Sequence, residues 1–181
     1  CTQCGRSEAG PRFQTCRDCS GDIRFAYPQR ERELPATPRS MWDFADRLPV
    51  QDPANIVTLG EGATPLLPAR LFEGREVYWK NEGANPTGSQ KDRAISVAIS
   101  VAKEAGFERV LTVSTSSVGF ACAAYCARAG FPCVVLVPKG TPAERLRPML
   151  AFGAQVAVVE ATFTEIEGML DAMNLTGWYE A

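Results

Sequence analysis

One pattern constrains this chain more than any other. From Asn55 onward, short apolar runs alternate with longer segments whose apolar residues recur at helical spacing. Val77-Tyr78-Trp79-Lys80 reads as a short strand. Over 92–105, Ile95, Ile99 and Ala102 fall on one stripe widened by Val97, Ala98 and Val101, which predicts a helix ended by Gly106. Then follow a strand over 109–113, a small-residue helix over 118–129 stopped by Gly130, and a strand over 133–137. A helix over 142–152, a strand over 155–159 and a helix over 163–173 complete the series. Cys133-Val134-Val135-Leu136-Val137 lacks polar alternation, as does 155–159, so both are expected to be buried on both faces. Strands alternating with helices imply α/β architecture: right-handed βαβ units on a parallel sheet.

The front of the chain follows other rules. Residues 1–24 are rich in Cys, Gly and Arg and form a module of their own. Residues 25–54 carry five prolines and read as an extended connector, with a short helix near Met41 to Arg47. Residues 55–181 are the α/β portion. Cys1-x2-Cys4 and Cys16-x2-Cys19 are separated by eleven residues. Two such turns supply a tetrahedral set of thiolates for zinc. A module this small cannot bury enough core to fold alone, so a structural Zn2+ held by Cys1, Cys4, Cys16 and Cys19 is the natural staple. Two disulfides or free thiols are the alternatives, although nothing else here looks secreted. Cys122, Cys126 and Cys133 read instead as small apolar core residues.

Composition narrows the chemistry. The net charge of -2 offers no bulk attraction to nucleic acid or anionic membrane. The apolar runs are too short to span a bilayer, and no signal peptide is evident. With no histidine among 181 residues, no Ser-His, Cys-His or His-metal site can be built. The chemistry is left to Lys, Cys, carboxylates or a cofactor. Because the chain starts at Cys1 and stops just after an apolar-aromatic segment, it reads as a fragment or a partly ordered chain.

Asn85-Pro86-Thr87-Gly88-Ser89-Gln90-Lys91-Asp92-Arg93 is a tight turn running into an apolar helix. Lys91 sits at the helix start, where the dipole and free N–H groups favour anions over an ammonium. A lysine amine in that setting can form an imine with an aldehyde. Leu59-Gly60-Glu61-Gly62-Ala63-Thr64-Pro65-Leu66 is a second turn. Ser114-Thr115-Ser116-Ser117 follows the strand over 109–113 and opens the next helix. Hydroxyls and helix-start N–H groups therefore lie at the carboxyl end of a parallel strand, where open α/β sheets bind ligands.

Gly60-Glu61-Gly62-x-Thr64-Pro65-Leu66, followed by Lys80-x-Glu82-Gly83-x-Asn85-Pro86-Thr87-Gly88-Ser89-x-Lys91-Asp92-Arg93, resembles the threonine synthase group of fold-type II pyridoxal phosphate enzymes. Ala124-Tyr125-Cys126-Ala127-Arg128-Ala129-Gly130 is similar to that group's next helix, and some members carry an amino-terminal four-cysteine ribbon. The resemblance covers most of the chain from about Ile56. It implies pyridoxal 5'-phosphate on Lys91 as a Schiff base, with Lys91 also the acid–base on substrate carbons. It implies that Ser114, Thr115, Ser116 and Ser117 line the cofactor. Substrate contacts would come from Lys80, Asn85, Thr87, Ser89, Ser114 and Thr115, with Lys139 and Arg145 as further candidates for a substrate phosphate.

Two departures stand out. Gln90 takes a position usually aromatic or His, and Ser116 and Ser117 align with the group's Gly and Asn. The group's glycine-rich phosphate loop lies in a carboxyl-terminal half that has no counterpart here, so this chain is expected to supply the lysine and one wall of a site.

The expected activity is that of a lyase converting O-phospho-L-homoserine and water to L-threonine and phosphate. A threonine or serine dehydratase-like enzyme, a cysteate synthase-like enzyme, and a non-catalytic homologue serving as an interaction module are the alternatives. The expected partner is a small amino-acid substrate, with neither nucleic acid nor membrane. The full-length form is expected to be a cytoplasmic homodimer.

Overall fold

The computed structural model describes residues 1–7, 16, 18–24, 35–69, 75–173 and 175–181. After short 3-10 turns at Met41–Arg47 and Pro53–Asn55 come strands β1 (Leu66–Ala69) and β2 (Val77–Lys80). A third 3-10 turn, Glu82–Ala84, leads to α1 (Lys91–Glu104), β3 (Val110–Val113) and α2 (Ser117–Ala129). Then follow β4 (Cys133–Pro138), α3 (Ala143–Ala151), β5 (Gln155–Val159), α4 (Phe163–Ala172) and β6 (Tyr179–Glu180).

The expected α/β architecture is present. β5, β4, β3 and β6 form a parallel sheet in that order. Helices connect successive strands because each apolar stripe must be buried against the sheet. Ile95, Ile99 and Ala102 of α1 are buried as their spacing predicts. They join Tyr125, Cys122 and Cys126 of α2 and Cys133, Val135 and Val137 of β4 in one core. Each fully buried aliphatic side chain contributes roughly 1.5–3 kcal/mol. α4 lies against β3 and β4 and buries Ile166 and Leu170. α2 ends at Gly130, whose φ of 76° is the left-handed C-cap its glycine permits.

Two strand expectations need correction. Gln155–Val159 is not a strand buried on both faces: it is an edge of the sheet, paired only with β4 among the described residues, and Val158 is 57% exposed. Val77–Lys80 lies outside the parallel sheet. It pairs antiparallel with β1, a strand the sequence reading missed because Pro68 interrupts it; a two-stranded ribbon tolerates that proline. β6 was also missed, since two paired residues leave no periodicity to read.

Residues 25–34 of the proposed connector lie outside the described residues. The rest folds back on α1 instead of merely extending. The Gln51 and Asp52 N–H groups donate to the Glu104 carboxylate, and Lys103 Nζ donates to the Ala54 carbonyl. The expected helix near Met41 is a 3-10 turn, kinked at Phe44 and capped by Ser40.

Candidate functional site

The sheet order creates a switch point. The chain runs outward from β3 to β4 and β5, then returns to place β6 on the other side of β3. Ligands of open α/β sheets bind beyond the carboxyl ends of the strands at such a point. α1 ends five residues before β3, so it runs antiparallel to that strand; α2 starts just after β3 and runs antiparallel to it too. Both helix starts, one at Lys91 and the other at Ser117, therefore lie on the carboxyl side of the sheet. α1 and α2 pack side by side.

Around Lys91 almost every polar side chain is committed to holding the turn. Asn85 is buried; its Oδ1 accepts from the Gly62 N–H at 3.0 Å, and its Nδ2 donates to the Glu82 carbonyl and carboxylate. Thr87 donates its N–H and its hydroxyl to the buried Asp92 carboxylate, the latter at 2.8 Å. Ser89 Oγ accepts from the Lys91 N–H at 3.1 Å and so starts α1. Lys80 Nζ donates to the Thr64 carbonyl across the β1–β2 ribbon. Lys91, half-buried, is the exception: its amine bonds nothing among the described residues.

The second helix start divides its hydroxyls. Ser114 is buried, and its Oγ accepts from the N–H groups of Ser116 at 3.2 Å and Gly119 at 2.8 Å, so it caps α2. The side chains of Thr115, Ser116 and Ser117 form no hydrogen bond among the described residues. The structure thus brings Lys91 and three uncommitted hydroxyl residues to the carboxyl side of the sheet. Lys139 pairs with Glu160 on the exposed surface, and Arg145 is exposed.

What sequence reasoning missed is a set of buried and half-buried polar bonds behind these groups. Glu61 is wholly buried. Its carboxylate accepts from Trp42 Nε1 at 2.6 Å, Tyr125 Oη at 2.8 Å, the Leu59 N–H, Thr58 Oγ1 and Ser96 Oγ. Burial pushes the Glu61 carboxyl up, yet the hydrogen bonds from Ser96, Leu59 and Tyr125 outweigh it and hold the group below its ordinary value. Burial and the bond to Glu61 together push Tyr125 well up. One carboxylate thereby ties α1, α2 and the segment containing Trp42.

Beside it, Arg93 grips Glu82 with two bonds, Nε at 2.7 Å and Nη2 at 2.8 Å. The Arg93 guanidinium beside it, despite some desolvation, holds the Glu82 carboxyl at about 2, with Thr64 and Asn85 adding bonds. Gly62 is needed here twice over. Its φ is 91°, and a Cβ would lie 2.5 Å from the Met41 nitrogen. The signal in sequence was present as the Gly60-Glu61-Gly62 motif, but nothing local showed where its carboxylate would point.

At the other end of the chain, the sulfurs of Cys1, Cys4, Cys16 and Cys19 all lie within 4.8 Å of one another. The Gln3 N–H points at Cys1 Sγ, 3.4 Å away, and each pair sits on a hydrogen-bonded turn. Four soft donors converging on one point suit a tetrahedral ion.

The family described as pyridoxal-phosphate dependent enzyme matches residues 57–180. The threonine synthase of Methanocaldococcus jannaschii is 36% identical over 183 residues, which cover 94% of this chain and 45% of that protein. The threonine synthase of a Synechocystis strain is 44% identical over 124 residues, 65% of this chain and 32% of its own. Among solved structures, a pyridoxal 5'-phosphate-dependent aspartate racemase is 29% identical with a TM-score of 0.55, over 65% of this chain and 38% of that one. The diaminopropionate ammonia lyase of Escherichia coli, at 20% identity and a TM-score of 0.59, shares the fold over 68% of this chain and 37% of its own. This chain spans less than half the length of the curated relatives it matches.

Proposed function

The chain belongs to the pyridoxal-phosphate dependent enzyme family, and on that premise we propose that it is part of a lyase of the threonine synthase type. The substrate would be O-phospho-L-homoserine, with water the second reactant and L-threonine and phosphate the products. The observation that carries this reading is Lys91: the one amine at the turn left without a partner among the described residues, at a helix start facing the switch point. The threonine synthase relatives support the substrate class.

The residues present fit the cofactor. Lys91 would hold pyridoxal phosphate through its amine, and Thr115, Ser116 and Ser117 would flank the ring. Bound there, the cofactor supplies an electron sink for substrate carbanions. The chain's own contribution is placement and proton transfer. The committed side chains of Asn85, Thr87, Ser89 and Asp92 fix the backbone of the turn, so Lys91 Nζ is the group free to take and return a proton. Helix-start N–H groups and the free hydroxyls would orient a substrate carboxylate. Lys80, Asn85, Thr87, Ser89 and Ser114 would then act on substrate through the scaffold they hold, since each already bonds within the protein.

We assign the front module, 1–24, a structural zinc on Cys1, Cys4, Cys16 and Cys19. With 25–54 joining it to the portion 55–181, a cytoplasmic homodimer is the proposed full-length form. No helix among the described residues is long and apolar enough to cross a membrane.

An absorbance spectrum tests the main reading. Protein loaded with pyridoxal phosphate should show a visible band that borohydride abolishes, and Lys91→Ala should lack it. A band of full strength in Lys91→Ala would overturn the assignment of the lysine.

A further inference from the structure

Cys122 and Cys126 lie four residues apart on α2, one turn of helix, and Cys133 opens β4 beneath them. Their sulfurs all lie within 4.8 Å of one another, with Cys133 Sγ 3.9 Å from Cys122 Sγ. Cys122 and Cys126 are wholly buried and Cys133 is 5% exposed. All three are free thiols. Elsewhere α2 is packed with small residues: Ala121, Ala123 and Ala124 are also buried. Convergence of three thiols, from two elements whose positions the core fixes, is more than a small apolar filling requires.

We propose that Cys122, Cys126 and Cys133 form a buried site for a three-coordinate, trivalent thiophilic ion, of which arsenic(III) is the representative. Coordination number and charge select the ion. Zinc closes a structural site with four ligands, and no fourth Cys, His, Asp or Glu joins this cluster among the described residues. A monovalent or divalent soft ion on three thiolates would leave net negative charge in an apolar core, which is costly without a partner. A trivalent ion on three thiolates is neutral. The reaction balances without an oxidant: arsenous acid and three thiols give the tris-thiolate and three waters. Three As–O bonds break, three As–S bonds form, and each thiol proton leaves in water. Entry runs past Cys133, the only one of the three with measurable exposure. It follows Pro132 in the wall of a cleft of about 400 Å³ that is also lined by Glu108, Arg109, Gly130 and Phe131.

The test uses the reduced full chain titrated with sodium arsenite. Arsenic X-ray absorption should show three sulfur neighbours. Peptide mapping after iodoacetamide under mild denaturant should show Cys122, Cys126 and Cys133 protected together, read separately from the four amino-terminal cysteines. Cys133→Ala should lose this protection and leave Cys122 and Cys126 as reactive as without arsenite; Cys126→Ala gives a second variant should the first not fold. Equal alkylation of the three wild-type thiols with and without arsenite would overturn the proposal. So would arsenic uptake confined to the amino-terminal cysteines.

Discussion

Seven cysteines serve two opposite physical purposes here. The quartet at 1–24 is held by turns and a few backbone bonds, and two of its members are exposed. Among the described residues of 1–24, Cys16 is the one buried apolar side chain. The trio on α2 and β4 belongs to the main apolar core. Sulfur at the surface gains little from packing, so the proposed metal would have to supply its stabilisation; sulfur in the core inherits stability from packing. A cysteine's spacing indicates which ligands it can meet, and its burial decides whether the fold depends on them.

Metal removal should separate the two regions most sharply. A structural zinc contributes on the order of 10 kcal/mol to small modules of this kind. Chelation, or Cys16→Ser, should abolish hydrogen-exchange protection in the front module while β3, β4 and α2 keep theirs. Equal loss in both regions would break the comparison. The next largest effect belongs to the core. Glu61→Ala takes one acceptor each from Trp42 and Ser96 and leaves the Tyr125 hydroxyl without one, and should cost about 3 kcal/mol in urea denaturation. Its exchange signature should appear in α1 and α2 and spare the quartet.

Packing around the trio can be probed more gently. A Cβ at position 119 would lie 2.8 Å from the Met149 methyl and 3.0 Å from Val135, so Gly119→Ala should cost about 1–3 kcal/mol. Cys126→Ala removes one heavy atom from the same core and should cost about 1 kcal/mol by thermal denaturation. A loss as large as that of Cys16→Ser would mean the trio, like the proposed zinc quartet, holds a ligand the fold depends on.

The smallest effect is acid stability at the Glu82–Arg93 pair. Its folded value, about 2, lies below the ordinary carboxylate value. The pair's stabilisation is therefore whole above that ordinary range and fades as the pH falls toward 2. Solvent screening keeps the contribution modest because both side chains are partly exposed. Proton titration followed by carboxylate NMR should show Glu82 still charged at pH values where ordinary carboxylates are protonated. Glu82→Gln should remove this acid-dependent component.

Much of the fold was legible because it rests on periodicity. Ile95, Ile99 and Ala102 announced α1, and Gly130 announced the end of α2. β5 was misjudged because an apolar run reads the same at an edge as in the middle of a sheet. The place of Lys91 at a helix start was legible through the turn that precedes it. At Ser114, one of the expected ligand contacts, the structure shows the Oγ capping α2. A hydroxyl before a helix can do either, and only the path of the backbone decides.

Local chemistry along the chain was enough to decide which segments turn, which bury a stripe, where a lysine meets a helix start and which cysteines pair by spacing. Contacts between distant segments decided the rest. Glu61 finds Trp42, Ser96 and Tyr125 across 19, 35 and 64 residues. Cys122 meets Cys133 only once α2 lies on β4. Those pairings depend on long-range packing, which fixes where a side chain points, and no short-range pattern encodes that direction.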